Sequence, residues 1–314
     1  MRIAVASSSP VGIPVLQALL SSEHEVGYVL TNPDKATGRG LKVEQNEFAE
    51  YAANQGLAVL KPNTKSEISV EVAQNLVDLV VTVAYGQLIP NEALTIPKFG
   101  WLNIHFSQLP KWRGAAPVQY AIMNQDESIG ISIFKLDEGL DTGPIYFSTE
   151  IRLSGNETTT LLLNSLSNSA GVEIAELISK IEQGLAPVPQ SENGASFAPK
   201  IAKTQGHMEL NQPSAHILAK VRALGDNPGV YVMFRGERIR INKASSLLPE
   251  DIATETASRI PSEIGSAFAT KSELFARTID GIIKFDLVTP QGKKQMSGAD
   301  FARGARIDSG DKFE

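Results

Sequence analysis

The chain has 314 residues, 42% hydrophobic and 20% charged, which is long for one hydrophobic core and comfortable for two domains. It contains no cysteine, which excludes disulfides, zinc–thiolate sites, iron–sulfur clusters and a thiol nucleophile together. A net charge of −6 excludes a surface that is basic all round, so any nucleic-acid partner must meet a local patch.

The first half alternates strand and helix. Met1 to Ala6 is too short an apolar run for a signal peptide or membrane span, and no later segment approaches membrane length. Arg2–Ala6 reads as a strand, followed by Ser9-Pro10 as an N-cap with proline at the first helical position. That helix continues through Val15, Leu16, Leu19 and Leu20, and 25–30 is the next strand. Residues 79–84 form a continuous apolar run of the kind buried on both faces of a parallel sheet. Residues 100–105 and 129–136 supply further strands, and 159–184 is a long helix. This alternation predicts a Rossmann-like, doubly wound parallel sheet of the α/β class. The turn after the first strand, Ser7-Ser8-Ser9-Pro10-Val11-Gly12, lacks the glycine pattern of a dinucleotide site, and there is no Walker A loop.

Residues 184–199 are rich in turn formers and read as a linker. Beyond them come short strands at 230–234, 238–242, 265–269, 274–277 and 282–288, with helices near 215–223 and 298–305. Together they predict a small OB-like β-barrel. The expected domains are 1–188, a linker 189–206, and 207–314. Charge divides along the same line, with twelve Lys/Arg against 21 Asp/Glu through residue 199 and 17 against 14 afterwards. Within 200–244 the cations Lys200, Lys203, Lys220, Arg222, Arg235, Arg238, Arg240 and Lys243 face only Glu209, Asp226 and Glu237, a pattern that fits either a polyanion-binding face or a solvated one.

The chemistry centres on Trp101-Leu102-Asn103-Ile104-His105-Phe106-Ser107-Gln108-Leu109-Pro110. Residues two apart on a strand share a face, so Asn103 and His105 project together, at the carboxyl end where open α/β sheets bind ligands. A second segment, Asp137-Glu138-Gly139-Leu140-Asp141-Thr142-Gly143, folds two glycines around carboxylates; on residues alone it is an acidic functional loop, a strand connection or a weak cation site. No metal-ligand spacing accompanies it, and His24, His207 and His216 stand alone.

Asn-x-His-x-Ser-x-Leu-Pro, then Trp112-Arg113-Gly114-Ala115-Ala116-Pro117, then Asp137-x-Gly-x-Asp-Thr-Gly, resemble the 10-formyltetrahydrofolate-dependent formyltransferases. Val83-Ala84-Tyr85-Gly86 and Leu88-Ile89-Pro90 fit the same pattern, and the resemblance extends over essentially the whole chain, most closely to members acting on methionyl initiator tRNA. It implies that Asn103, His105 and Asp141 are the catalytic trio, and that Ser107, Gln108, Leu109 and Pro110, with Ala84, Tyr85, Gly86 and Ile89, receive the folate. It also implies that the glycine-flanked loop 31–42 enters the tRNA acceptor end through Arg39, supported by Lys35 and Lys42, with Lys200 and Lys203 adding contacts from the barrel. Read without the family, that loop fits either a flexible surface loop, which the residues alone favour, or an RNA contact. Three positions depart from the pattern: Gln108 replaces a leucine, Ser8-Ser9-Pro10 replaces a glycine-containing turn, and Met208-Glu209-Leu210 stands where Ile-Asp-Trp is usual.

The chemistry is consistent with that resemblance. Formyl transfer to an amine develops an oxyanion, and an asparagine amide and an imidazolium aimed at it supply roughly 3–4 kcal/mol per donor. Asp141 paired with His105 is expected to orient the imidazole and raise its pKa, or to relay a proton through water. The expectation is a cytoplasmic monomer that uses a folate donor and methionyl initiator tRNA, with no metal and no membrane. Rival readings are a formyltransferase for an amino sugar nucleotide, a formyltetrahydrofolate hydrolase, a single-domain purine-pathway formyltransferase, which has no need of residues 200–314, and a non-catalytic RNA-binding protein built on the barrel. The Asn103, His105 and Asp141 constellation argues against the last.

Overall fold

The computed structural model describes residues 1–37, 42–246, 261–308 and 310–314, and the backbone divides into two units. The first comprises Met1–Val118, Ser128–Arg152 and Leu161–Pro199. Its strands are β1 (Arg2–Ala6), β2 (Glu25–Leu30), β3 (Lys35–Thr37), β4 (Lys42–Glu44), β5 (Ala58–Leu60), β6 (Leu79–Thr82), β7 (Trp101–His105), β8 (Ser128–Lys135) and β9 (Ile145–Arg152). Its helices are α1 (Ile13–Leu20), α2 (Glu47–Asn54), α3 (Lys65–Gln74), α4 (Asn91–Leu94), the start of α5 (Pro117–Met123) and most of α6 (Thr159–Glu182).

Seven strands form one sheet in the order β5-β2-β1-β6-β7-β8-β9. The first five are parallel, while β8 and β9 run antiparallel at one edge. This is the α/β, Rossmann-like architecture predicted from the strand–helix alternation. The central strands explain why: every residue of β6 is buried, as is β1 after Arg2, because helices cover both faces of such a sheet. Edge strand β9 instead alternates in exposure along its second half. Tyr28, Ile68, Val72, Val80, Tyr85 and Trp101 pack together in the core.

Helix starts follow their capping residues: the Asn46 side chain accepts from the Ala49 amide, and Thr64 from Glu67. Ser9 does not cap. Pro10–Gly12 forms a 3-10 turn and α1 begins at Ile13, while the Ser9 amide donates to Ser7 Oγ.

The turn-rich segment after α6 is tied to the first unit. Val188 and Ile145 exchange both backbone hydrogen bonds, at 2.7 and 2.8 Å. The Arg113 amide donates to the Ser196 carbonyl at 2.8 Å, and the Ala198 amide to the Arg113 carbonyl at 2.7 Å.

The second unit comprises Gln119–Glu127, Leu153–Thr160 and Lys200–Glu314. It contains α7 (Ser214–Leu224), β10 (Val230–Phe234), β11 (Glu237–Ser246), β12 (Ala267–Ala269), β13 (Leu274–Arg277), β14 (Ile282–Pro290), β15 (Met296–Ser297) and α8 (Gly298–Ala305). The antiparallel sheet runs β10-β11-β14-β13-β12, with β15 beside β14. Register shifts at Ile241/Lys243 and Lys243/Ala244 bend the long β11–β14 ladder, which curls the sheet into an OB-like half-barrel around Phe234, Phe285, Phe301 and Phe313. Among the described residues no helix is long and apolar enough to cross a membrane.

Candidate active site

Parallel pairing of β6 with β7 sets Thr82 opposite Asn103 at the carboxyl end of the sheet. The buried Thr82 hydroxyl donates to Asn103 Oδ1 at 2.7 Å. That bond occupies the acceptor end of the amide and leaves the two Nδ2 hydrogens as donors for a substrate oxygen. Thr82 lies inside the apolar run 79–84 and in none of the site motifs; only sheet register reveals its partner. We expect Thr82→Val to lower turnover about tenfold while substrate affinity stays within about twofold, because it frees the amide to rotate. Unchanged turnover in steady-state assays of that variant would show that Asn103 needs no such support.

His105 lies two residues further on and is 5% exposed. Its Nε2 is 2.9 Å from the Trp112 carbonyl, which can only accept, so Nε2 carries a hydrogen. Its Nδ1 faces Asp141 Oδ2 at 3.8 Å, beyond hydrogen-bonding distance but close enough for charge attraction. Burial pushes the imidazole below its ordinary pKa, against the opposing pulls of the Asp141 carboxylate and the Trp112 carbonyl. The Asp141 carboxylate does pull the imidazole pKa upward, as the sequence led us to expect, but desolvation outweighs it and the net shift is downward, which favours a neutral ring with Nδ1 able to take a proton.

Asp141 arrives from the loop between β8 and β9, with a left-handed φ of 52° that is uncommon outside glycine. Its Oδ2 accepts the Gly114 amide at 2.7 Å. Gly114 itself has φ 123°, and a Cβ there would lie 2.6 Å from the Ala198 carbonyl oxygen, so only glycine lets these segments meet. Asp137 organises the same loop, accepting from the Gly139 amide and the Thr142 hydroxyl. Glu138 accepts from Asn91. Asn103, His105 and Asp141 are thus brought to one end of the sheet.

The expected folate residues divide by what they expose. Ala84 and Gly86 are exposed, whereas the Tyr85 side chain is buried in the core and burial raises its phenol pKa. What this turn offers a ligand is therefore mainly backbone. Ile89 packs partly against the core. Ser107 is buried and donates to the Lys111 carbonyl at 2.6 Å, and Ser132 links the Leu109 amide to the Ser107 carbonyl. Leu109 is buried, and Gln108 and Pro110 are half-buried.

Of the expected tRNA contacts, Arg39 lies outside the described residues, as does the side chain of Lys42; Lys35 is exposed on β3. In the second unit Lys200 and Lys203 are exposed. Other cations of that stretch are committed internally. Lys220 donates to the His207 carbonyl, Arg235 pairs with Asp311, Arg240 donates to the Gly225 and Asp226 carbonyls, and Arg238 stacks on Tyr231 at 3.6 Å. Among the described residues no group of three or more His, Asp or Glu could hold a metal ion.

Comparison with known proteins agrees in both units. Residues 1–177 match the formyl transferase family and 200–306 match the formyl transferase C-terminal domain. The chain is 37% identical to methionyl-tRNA formyltransferase of Thermobifida fusca, covering 100% of this chain and 99% of that one. It is 39% identical to methionyl-tRNA formyltransferase of Mycobacteroides abscessus, covering 98% of each. In fold it resembles HypX from Aquifex aeolicus, with a TM-score of 0.68 at 17% identity, over 97% of this chain and 47% of that one.

Proposed function

Since the chain belongs to the formyl transferase family and carries both of its domains, we infer that it transfers the formyl group of 10-formyltetrahydrofolate to the amino group of methionyl initiator tRNA, for translation initiation. The observation that carries the chemistry is the buried His105, with Nε2 on the Trp112 carbonyl and Nδ1 towards Asp141, beside an asparagine fixed by Thr82. We read the enzyme as a cytoplasmic monomer.

The donor supplies a formyl carbon bonded to a nitrogen that leaves once protonated. The exposed backbone at Ala84 and Gly86, beside the carboxyl ends of β6 and β7, suits a planar ring system presenting its own donors and acceptors. A free α-amino group has a pKa of roughly 7.7–8.0, so part of the acceptor is already neutral at working pH. As its nitrogen bonds to the formyl carbon, Asn103 Nδ2 donates to the oxygen that gains charge. His105 Nδ1 takes the surplus amine proton and returns it to the departing nitrogen, and Asp141 stabilises the transient imidazolium. Asn103, His105 and Asp141 are the catalytic residues of this reading. Residues 1–188 form its catalytic part, 189–206 the connection, from which Lys200 and Lys203 contact tRNA, and 207–314 the tRNA-binding part. Arg39, supported by Lys35 and Lys42, probes the acceptor end.

The test offers the protein 10-formyltetrahydrofolate with charged initiator tRNA, with an amino sugar nucleotide, or with neither acceptor. Formyl-methionyl-tRNA is the expected product. Faster formylation of the sugar, or donor hydrolysis that ignores tRNA, would overturn the reading. Arg39→Ala should impair tRNA formylation at unchanged tetrahydrofolate affinity, and should lower the salt slope of tRNA binding by at most about one unit. Parental formylation by that variant at several salt concentrations would remove loop 31–42 from tRNA recognition.

A further inference from the structure

One glutamine beyond α6 has all its hydrogen-bonding capacity spent on the two loops that flank His105. Gln190 Oε1 accepts from Arg113 Nη2 at 2.9 Å and from Arg113 Nε at 3.3 Å. Gln190 Nε2 donates to the carbonyls of Asp141 at 2.8 Å and Gly143 at 2.7 Å. Arg113 lies between Trp112, whose carbonyl holds His105 Nε2, and Gly114, whose amide holds Asp141 Oδ2. A single side chain 49 residues from Asp141 in sequence therefore staples together the segments that face both ring nitrogens of His105.

We propose that Gln190 is a positioning residue for formyl transfer, fixing Asp141 against His105 by holding its backbone carbonyl while Gly114 holds its carboxylate. The proposal rests on the formyl-transfer reading above. Asp141 needs holding at both ends because its left-handed backbone relaxes towards ordinary conformations when released. Arg113 makes the staple rigid. Its side chain is 4% exposed, and its nearest carboxylate, Glu192 at 3.5 Å, is 81% exposed, so the amide oxygen of Gln190 is its closer side-chain partner. A buried guanidinium without such partners is costly, which keeps Gln190 in place. The chain on either side is anchored by backbone hydrogen bonds of its own, at Val188 before it and at Ser196 and Ala198 after it. Removing the side chain should leave that path intact and release only the Asp141 loop.

The experiment compares Gln190→Ala, Gln190→Glu and each combined with Asp141→Asn, in the full chain. We expect Gln190→Ala to lower kcat at least about tenfold, with KM for both substrates within about twofold. Glu in place of Gln keeps the oxygen that Arg113 needs but turns a second oxygen on the two carbonyls. Gln190→Glu should therefore melt no lower than Gln190→Ala and still lose kcat, an outcome that a purely structural role for the Arg113 contact does not predict. In the Asp141→Asn background, Gln190→Ala should cost no more than about a further twofold, because its effect runs through the missing carboxylate. Full additivity there, or parental kcat in Gln190→Glu, overturns the proposal. The 15N shifts of the His105 ring report the same displacement without any acceptor. They should move in Gln190→Ala in the direction seen in Asp141→Asn, and an unmoved ring overturns the proposal even if the protein formylates another substrate. A parent protein that formylates no tRNA while its Gln190 variants still shift the ring defeats the substrate reading alone.

Discussion

His105→Ala and Asn103→Ala each lower formylation turnover at least about a hundredfold, the loss expected when a preorganised donor or a proton acceptor is removed from a water-poor site. The two variants fail for different reasons. His105→Ala removes the imidazole at the carboxyl end of β7 and the ring nitrogen that donates to the Trp112 carbonyl. Asn103→Ala removes the amide donor that we propose for the formyl oxygen and strands the Thr82 hydroxyl. Each lost hydrogen bond costs about 1–3 kcal/mol of folding stability, against a typical total of about 5–15 kcal/mol, so both variants remain folded. Single-turnover rates and thermal melts on the same preparations separate the two effects. A variant that melts like the parent and turns over within tenfold of it would remove that residue from the mechanism.

Asp141→Asn keeps the size of the side chain and an oxygen for the Gly114 amide but removes the charge facing His105 Nδ1. In the parent, burial already holds the imidazole below its ordinary pKa of roughly 6.5, and Asp141 opposes that shift. Deleting the carboxylate should lower the imidazole pKa further, observable by NMR titration. The acid limb of kcat/KM should move to lower pH while the plateau falls about a hundredfold or more, because the imidazolium formed during transfer loses its counter-charge. The sign for stability follows from the same shift. A histidine that binds its proton less readily when folded contributes stability fully above the unfolded value, and that contribution is lost as pH falls through the folded one. Asp141→Asn should therefore steepen the loss of stability on the acid side of about pH 6.5. An acid limb that stays in place, or moves up, would show that the two groups are not coupled.

Local periodicity carried far in this chain. The β-branched runs at 2–6 and 25–30 and the short strands at 230–234 and 274–277 have the bounds that the residues suggested. Apolar spacing reports burial directly where one strand or helix faces one core. The same logic placed Asn103 and His105 on one face, because the side-chain period of a strand is two whatever surrounds it. Strands β5 and β9 were not foreseen: one is three residues long, and the other sits at a sheet edge where partial exposure blurs the pattern.

What sequence alone determined, then, is the common strand of Asn103 and His105, two of the groups we propose to react, together with the family whose motifs surround them. The electrostatic state of those groups was decided by tertiary structure. A raised imidazole pKa followed from counting Asp141 alone; the desolvation that outweighs it depends on how completely the folded chain encloses His105, a quantity with no local signature. Thr82 reaches Asn103 only through the register of β6 on β7. Trp112 and Gly114 reach His105 and Asp141 through loop closure. Gln190, in a stretch whose composition reads as a connection, reaches the Asp141 loop because the chain returns after α6 and finds two carbonyls and a buried guanidinium in need of partners. Hydrogen bonds between distant segments satisfy groups that burial has cut off from water, and burial is a property of the whole fold.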